Sequence, residues 1–244
     1  GRFVEATRAN VLTYGIYSPA DIMARDILYD INGTRYTLVT PKGEIDIRTR
    51  LLGRFNVYNA LARVGTAVAE GIDLEQIKRG LERPIRVAGR MEMVDRGQPF
   101  TVVVDYAHTP DGMENVLGLA RGLNPRKLIT VFGCGGDRDK EKRPIMGGVA
   151  ARFSDEIILT ADNPRNEDPL QILAEIRKGC DSASVTEIVD RRSAIQHVIA
   201  MAGPGDIVMI LGKGHETTQT LKEHTVPFND REEAEKALDA LLQK

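Results

Sequence analysis

The second half of this 244-residue chain alternates strand and helix patterns, which predicts an α/β fold: a Rossmann-like, mostly parallel sheet with helices on both faces. Three observations carry that expectation. Leu128 to Phe132 is an uninterrupted apolar run of strand length, the pattern of a strand buried on both faces. From Thr101 onward each such run is followed by an apolar stripe at helical spacing. The runs also end in glycines and charged residues, and the carboxyl ends of strands are where open α/β sheets hold ligands.

The elements follow in order. Residues 24–50 read as short alternating strands, with Asn32-Gly33 as a two-residue hairpin signal and Pro41-Lys42-Gly43 as a second turn. Gly53-Arg54-Phe55-Asn56 leads into a helix whose stripe is Val57, Leu61, Val64, Ala67 and Val68, closed by Gly71. A shorter helix spans about Leu74 to Leu81. Arg83-Pro84 breaks the pattern, and Arg86 to Glu92 is a polar, Gly-containing connector, so the domains are expected at 1–92 and 93–244. Thr101 to Asp105 is then a strand, with Thr109 as N-cap and Pro110 at the first position of a helix carrying Met113, Val116, Leu117 and Ala120. Leu128 to Phe132 is the next strand, with a helix from about Pro144. Asp155 to Thr160 is the third strand, and Asp168-Pro169 caps a helix through Lys178. Val185 to Val189 is a weaker fourth strand, and Asp190 caps the helix of Ile195, Val198 and Ile199. Ile207 to Leu211 is a fifth strand, and a last helix starts near Asp230.

Composition excludes several classes. A content of 42% hydrophobic and 28% charged residues is that of a globular domain and not of a disordered chain. A net charge of −2 lacks the basic excess of a nucleic-acid surface, so no nucleic-acid partner is expected. No apolar run reaches bilayer length, so no membrane partner is expected either. Cys134 and Cys180 form neither a disulfide framework nor a metal-ligand spacing, which fits a cytoplasmic setting. The four histidines are scattered, so no metal ligands are assigned, with His197 expected to be structural and His224 at the surface. The first residues, Gly1 to Glu5, read as neither an initiator segment nor a signal peptide, and the chain is expected to be part of a longer one.

Four strand ends carry chemistry: Asp105-Tyr106-Ala107-His108, the Gly133 loop with Asp137, Arg138 and Asp139, Asp162-Asn163-Pro164-Arg165, and Gly212-Lys213-Gly214-His215-Glu216. Each alone is explained by an ordinary turn or cap. Together on one sheet edge they form a site for a zwitterion. Arg138 and Arg165 suit carboxylates, because a guanidinium holds one through two parallel hydrogen bonds where Lys140 and Lys142 offer point charges; Glu216 suits an ammonium group. The glycines of the 133–136 loop are expected to present backbone N–H groups to an anion. No G-x-x-x-x-G-K-[ST] motif occurs, since Lys213 is followed by Gly214, and no G-x-G-x-x-G follows a strand.

These motifs, with Asn59-Ala60-Leu61-Ala62, Gly89-Arg90-Met91-Glu92 and Lys142-Arg143-Pro144, resemble in order the Mur ligases, and within them the diaminopimelate-adding MurE type. The resemblance covers nearly the whole chain. It implies an ATP-dependent amide ligase that joins meso-diaminopimelate to UDP-MurNAc-L-Ala-D-Glu in peptidoglycan precursor synthesis, with ATP and Mg²⁺ as cofactors of the full-length enzyme. It implies that residues 1–92 are the tail of the central ATPase domain and 93–244 the C-terminal domain. The UDP-binding N-terminal domain, which would hold most of the nucleotide-linked dipeptide, the P-loop and a carbamylated lysine would then lie upstream of Gly1.

Carried over by position, the resemblance implies that Arg138, Asp162, Asn163, Pro164, Arg165, Gly212 and Glu216 contact meso-diaminopimelate. It implies that Asn56, Arg90, Asp105 and His108 approach ATP. No catalytic residue is assigned within this chain, which is expected to be inactive alone. A non-catalytic amino-acid-binding module of the same fold is the competing reading. So are an L-lysine-adding ligase, cyanophycin synthetase and folylpolyglutamate synthetase, which Asp162-Asn163-Pro164-Arg165 disfavours.

Overall fold

Alternating burial along residues 22–49 and a helical stripe after Gly53 give the first part of the chain a sheet and two helices with facing apolar sides. The computed structural model describes residues 2–30, 33–83, 87–181, 184–222 and 224–243. The chain divides into two compact units, 1–86 and 87–244.

In the first unit, α1 (Arg2–Ala6) precedes a four-stranded sheet of β1 (Tyr14–Gly15), β2 (Ile22–Asp30), β3 (Gly33–Thr40) and β4 (Gly43–Thr49). β1 runs parallel to β2, and the other pairs are antiparallel. α2 (Arg54–Ala69) and α3 (Leu74–Glu82) follow, the latter capped by Asp73, which accepts from the Gln76 N–H at 2.8 Å. Ile22, Ala24, Tyr36, Leu38 and Ile47 of the sheet pack with Val57, Leu61 and Val64 of α2 and Ile77 and Leu81 of α3. Ala67 and Val68 of the expected stripe are only partly buried against this core. The hairpin differs in register from the Asn32-Gly33 expectation: Asp30 pairs with Gly33, so Gly33 already belongs to β3. Residues 31–32, on which the expected turn partly falls, lie outside the described residues.

The second unit holds β5 (Glu92–Val94), β6 (Thr101–Asp105), α4 (Pro110–Gly122), β7 (Leu128–Phe132), α5 (Lys142–Phe153), β8 (Glu156–Leu159), α6 (Pro169–Arg177), β9 (Ser184–Glu187), α7 (Arg191–Met201), β10 (Ile207–Leu211), β11 (Thr218–Thr220), β12 (Thr225–Pro227) and α8 (Asp230–Leu242). Its main sheet has the order β5-β6-β10-β7-β8-β9. β6 to β9 and β10 are parallel, and β5 is an antiparallel edge strand paired with β6. Val102, Val104, Ile129, Val131, Ile158, Val208 and Ile210 face α7 and α8 with Ile195, Val198, Ala234 and Leu238. Because side chains alternate along a strand, Val103, Leu128, Ile157 and Met209 point to the other face, where α4, α5 and α6 lie side by side. The caps are as expected: Thr109 accepts from Gly112, Asp168 from Leu170 and Asp190 from Ser193, with Pro110 and Pro169 in the first turns.

β5 and the β11–β12 hairpin carry no sequence pattern strong enough to foresee. Each is three residues long and is formed by pairing with a neighbour. Residues 87–92 pack within the second unit, where the Tyr106 N–H donates to the Gly89 carbonyl at 2.8 Å.

Candidate functional site

Inserting β10 between β6 and β7 separates two strands that are consecutive in sequence, and the loops that leave their carboxyl ends part around it. A cavity of about 510 Å³ opens there, lined by residues of the loops after β6, β7, β8 and β10. Among its walls are Arg138 and Arg165, Asp162 and Glu216, Asn163, Gly212 and His108, together with Tyr106 and Lys142. With Asp139 also in the lining, two guanidinium groups, the Lys142 ammonium and three carboxylates share one concave surface.

The Gly133 loop is held from behind. Arg143, fully buried, donates to Glu167 at 3.0 Å through both Nη atoms, to Glu175 at 2.6 Å and to the Gly135 carbonyl at 3.3 Å. Glu167 also accepts from the Asp137 N–H at 2.6 Å and pairs with Lys140 at 2.9 Å. The hydrogen bonds from Arg143 and Lys140 hold its carboxyl down at about 2. The loop's N–H groups are not all free for an anion, as the glycine pattern suggests. Gly136 N–H donates to the Asn163 carbonyl at 2.9 Å, and Asp137 N–H goes to Glu167. Glycine is needed for contact instead: a Cβ on Gly136 would lie 1.9 Å from the Pro164 carbonyl oxygen.

The 162–165 loop is fixed by side chains of other elements. Asn163 accepts through Oδ1 from Lys213 Nζ at 3.0 Å and from the Thr220 N–H at 2.9 Å, and its Nδ2 donates to Glu216 at 2.9 Å. Gln219 Nε2 donates to the Asp162 carbonyl at 2.8 Å. Arg165 stands at a φ of 50°, with its N–H donating to the Thr220 carbonyl and its Nη1 to the Gly136 carbonyl at 2.8 Å. Burial pushes the Asp162 carboxyl upward, against the opposing charges of Arg191 and Lys213. Burial also acts to raise Glu216, but hydrogen bonds from Lys213 and Asn163 outweigh it and hold that carboxyl below its ordinary value.

The structure therefore gathers Arg138, Asp162, Asn163, Arg165, Gly212, Glu216 and His108 around one cavity and sets the remaining candidates elsewhere. Pro164 is buried, with its carbonyl accepting from the Glu167 N–H. Asp105, 2% exposed, spends both carboxylate oxygens on backbone: Oδ2 accepts from Met91 and Oδ1 from Ala107, each at 2.7 Å. It shapes the turn at Gly89, whose φ is +65° and where a Cβ would lie 2.2 Å from His215 N. Asn56, in the first unit, donates through Nδ2 to the Leu52 carbonyl at 2.8 Å. Arg90 is exposed, 5.4 Å from the centre of the Tyr106 ring, which also packs against His108 and His215. His197, expected to be structural, is exposed on α7, and His224 is exposed as expected.

Sequence reasoning missed Tyr106 and Thr109 as lining residues and gave Lys213 no role. Tyr106 lies within a quoted motif, but nothing in its spacing says that its ring faces the cavity. Cys134 is buried in the loop, its thiol pushed up to about 12 by burial. Among the described residues no group of three or more His, Cys, Asp or Glu side chains converges to hold a metal ion, and no helix is long and apolar enough to cross a membrane.

Two family models match the chain: the Mur ligase middle domain over residues 2–67, and the Mur ligase glutamate ligase domain over residues 89–214. A UDP-N-acetylmuramoyl-L-alanyl-D-glutamate--2,6-diaminopimelate ligase of Bacillus velezensis is 49% identical over 242 residues, covering 99% of this chain and 49% of that protein. A solved structure of a ligase of the same name is 40% identical and superposes with a TM-score of 0.69, covering 94% of this chain and 47% of the other. The MurF ligase of Thermotoga maritima in complex with ADP shares the fold at 14% identity, with a TM-score of 0.68 over 96% of this chain and 49% of its own. The chain spans about half the length of the curated relatives it matches.

Proposed function

We propose, on the premise that the chain belongs to the Mur ligase family, that it is the amino-acid-receiving part of an ATP-dependent ligase and that its cavity binds meso-diaminopimelate. One observation carries the reading: Arg138, Arg165, Asp162 and Glu216 line a single cavity. Meso-diaminopimelate bears two carboxylates and two ammonium groups, and the cavity offers both kinds of partner: Arg138, Arg165 and Lys142 for carboxylates, and Asp139, Asp162 and Glu216 for ammonium groups. The arginines form charge-assisted hydrogen bonds to carboxylates, and Asp162 and Glu216 accept from ammonium groups. Relatives that carry this name support the choice of amino acid.

In the whole enzyme the γ-phosphoryl group of ATP passes to the carboxylate of UDP-MurNAc-L-Ala-D-Glu and ADP is released. The neutral amine of diaminopimelate then attacks the acyl carbon. The C–N bond forms, the C–O bond to phosphate breaks, phosphate leaves and the nitrogen loses its proton. This chain's part is to hold the amino acid so that its amine is aimed and its other charges are satisfied, which turns an encounter into an oriented attack. The expected division at residues 92 and 93 shifts to 86 and 87 because residues 87–92 pack within the second unit, and residues 1–86 are proposed as part of the central domain of such a ligase and 87–244 as its C-terminal domain.

For ATP the candidates divide. Arg90 and His108 are exposed and suit phosphate or ribose oxygens, whereas Asp105 and the Asn56 Nδ2 already have internal partners. No ligand set for Mg²⁺ is found among the described residues, so no step is drawn through the metal. A cytoplasmic setting follows from the proposed substrates.

Calorimetric titration of this chain tests the reading. Meso-diaminopimelate should bind saturably and L-lysine at least about tenfold more weakly, because lysine leaves one cavity guanidinium group without its carboxylate partner. Absence of saturable diaminopimelate binding would overturn it.

A further inference from the structure

Lys213 stands apart from every residue discussed so far, as a lysine with no exposed side-chain surface directly behind a ligand cavity. Burying an ammonium group is costly unless it is paired and hydrogen-bonded, so its partners show what it is for. Its Nζ donates to Glu216 Oε2 at 2.8 Å and to Asn163 Oδ1 at 3.0 Å. It therefore ties the loop after β10, which carries Glu216, to the loop after β8, which carries Asp162. Glu216 Oε2 accepts from both Lys213 and Asn163, which directs the other oxygen, Oε1, away from this cluster.

Charge strengthens the point. Asp162 is faced by Arg191 of α7, Lys213 and Glu216 of the loop after β10, Asp230 of α8 and the Cys134 thiol of the loop after β7; Glu216 is faced in addition by Arg165. Arg191 is bound on two nitrogens by Asp230, at 2.7 Å each, so its charge is largely answered. Lys213 is then the main cation shared by Asp162 and Glu216. With Arg191, Lys213, Asp162, Glu216 and Asp230 ionised, two positive charges meet three negative ones, and Arg165 faces Glu216 as a third cation. Glu216 Oε1, which neither Lys213 nor Asn163 engages, is the acceptor left for a ligand ammonium group.

We propose that Lys213 is the positioning residue of an ammonium subsite: its buried Nζ fixes Glu216 and Asn163 and supplies the counter-charge that lets Asp162 and Glu216 stand together as carboxylates. The inference deepens the amino-acid-binding reading and rests on it. Without Lys213 the two carboxyls share a proton at neutral pH, because like charges in one partly desolvated site resist joint ionisation. A ligand ammonium must then expel that proton before it can dock.

The experiment is calorimetric titration of meso-diaminopimelate into this chain and into its K213M variant, at pH 6 to 8 and in buffers of different ionisation enthalpy. The parent should bind with an affinity nearly flat across this range and with almost no proton exchange. K213M should bind at least about tenfold more weakly at pH 7, recover affinity as the pH rises, and release about one proton per ligand bound. A lysine that merely braces two loops would lower affinity without changing the pH profile or the proton count, and that result overturns the inference. So does K213M binding like the parent, while the binding reading itself survives. A parent that binds no diaminopimelate removes both. If circular dichroism shows K213M unfolded, K213Q, which keeps a donor but no charge, is read in the same way. Carboxyl NMR titration of Glu216 in the parent needs no variant at all: its midpoint should fall below the ordinary glutamate value, and a midpoint at or above it overturns the inference.

Discussion

The Arg165 guanidinium donates through Nη1 to the Gly136 carbonyl at 2.8 Å, so the residue expected to read the ligand also fastens the Gly133 loop to its own. Its backbone is left-handed, at a φ of 50°, a conformation that an L side chain adopts only when its surroundings impose it. Part of the fork is committed inward and the rest faces the cavity. A lysine here can cap Gly136 or meet a ligand carboxylate, but one ammonium cannot reproduce both. R165K should therefore lose diaminopimelate affinity nearly as fully as R165G, by about tenfold or more, and selectivity over lysine should collapse in both. R165G is the cleaner deletion, because glycine accepts the left-handed backbone. Titration of the two amino acids into each variant checks this, and parent-like affinity in either rules out the role given to Arg165.

Glu167 gathers Arg143, Lys140 and the Asp137 N–H on one carboxylate, and its folded-state value is lowered from 4.5 to about 2. A carboxyl whose value is lower in the folded state stabilises fully above its unfolded value. That contribution is lost as pH falls through the window from 4.5 toward 2. E167Q should lower the urea midpoint at pH 7 and flatten the decline between pH 4.5 and the acid limit. Equal slopes in parent and variant would mean that another carboxylate controls the acid transition.

Arg191 and Asp230 form a bidentate pair with no exposed side-chain surface, closed by an Arg191 bond to the Leu211 carbonyl at 2.9 Å. Removing one partner strands a buried charge, at a cost of about 3–5 kcal/mol, whereas replacing both with apolar residues costs much less. D230A should strongly destabilise the second unit, and R191M/D230L should be more stable than D230A. Denaturation followed by far-ultraviolet circular dichroism measures both; additive losses would contradict the coupling.

No G-x-x-x-x-G-K-[ST] motif is present, and phosphoryl transfer depends on positioning the phosphates and their metal. This chain incubated with ATP, meso-diaminopimelate and UDP-MurNAc-L-Ala-D-Glu should release no ADP above background. ATP should bind no tighter than about the high-micromolar range, because the absent loop would supply most phosphate contacts. Turnover, or micromolar affinity by calorimetry, would refute this.

The sequence by itself determined the parallel strands and the helices of the second unit, though not β5 or the β11–β12 hairpin. The apolar runs at Thr101–Asp105, Leu128–Phe132 and Ile207–Leu211 match their strands residue for residue, because a strand buried on both faces leaves no polar position to blur its ends. It also determined which loops carry charge, since Arg138, Asp162, Arg165 and Glu216 stand in the loops that follow β7, β8 and β10. Tertiary structure decided what those charges do. Placing β10 between β6 and β7 brought residues some fifty positions apart, such as Asn163 and Lys213, to 3.0 Å. That contact makes Asn163 a brace between loops as well as a lining residue of the cavity, and the turn at Gly89 engages Asp105 with backbone partners. Nothing along the chain marks Arg143, Arg191 and Lys213 as buried, yet each has no exposed side-chain surface in the fold. Periodicity records burial for apolar residues only. A buried cation is tolerated for the partners that surround it, and those partners come from other loops that only folding brings near.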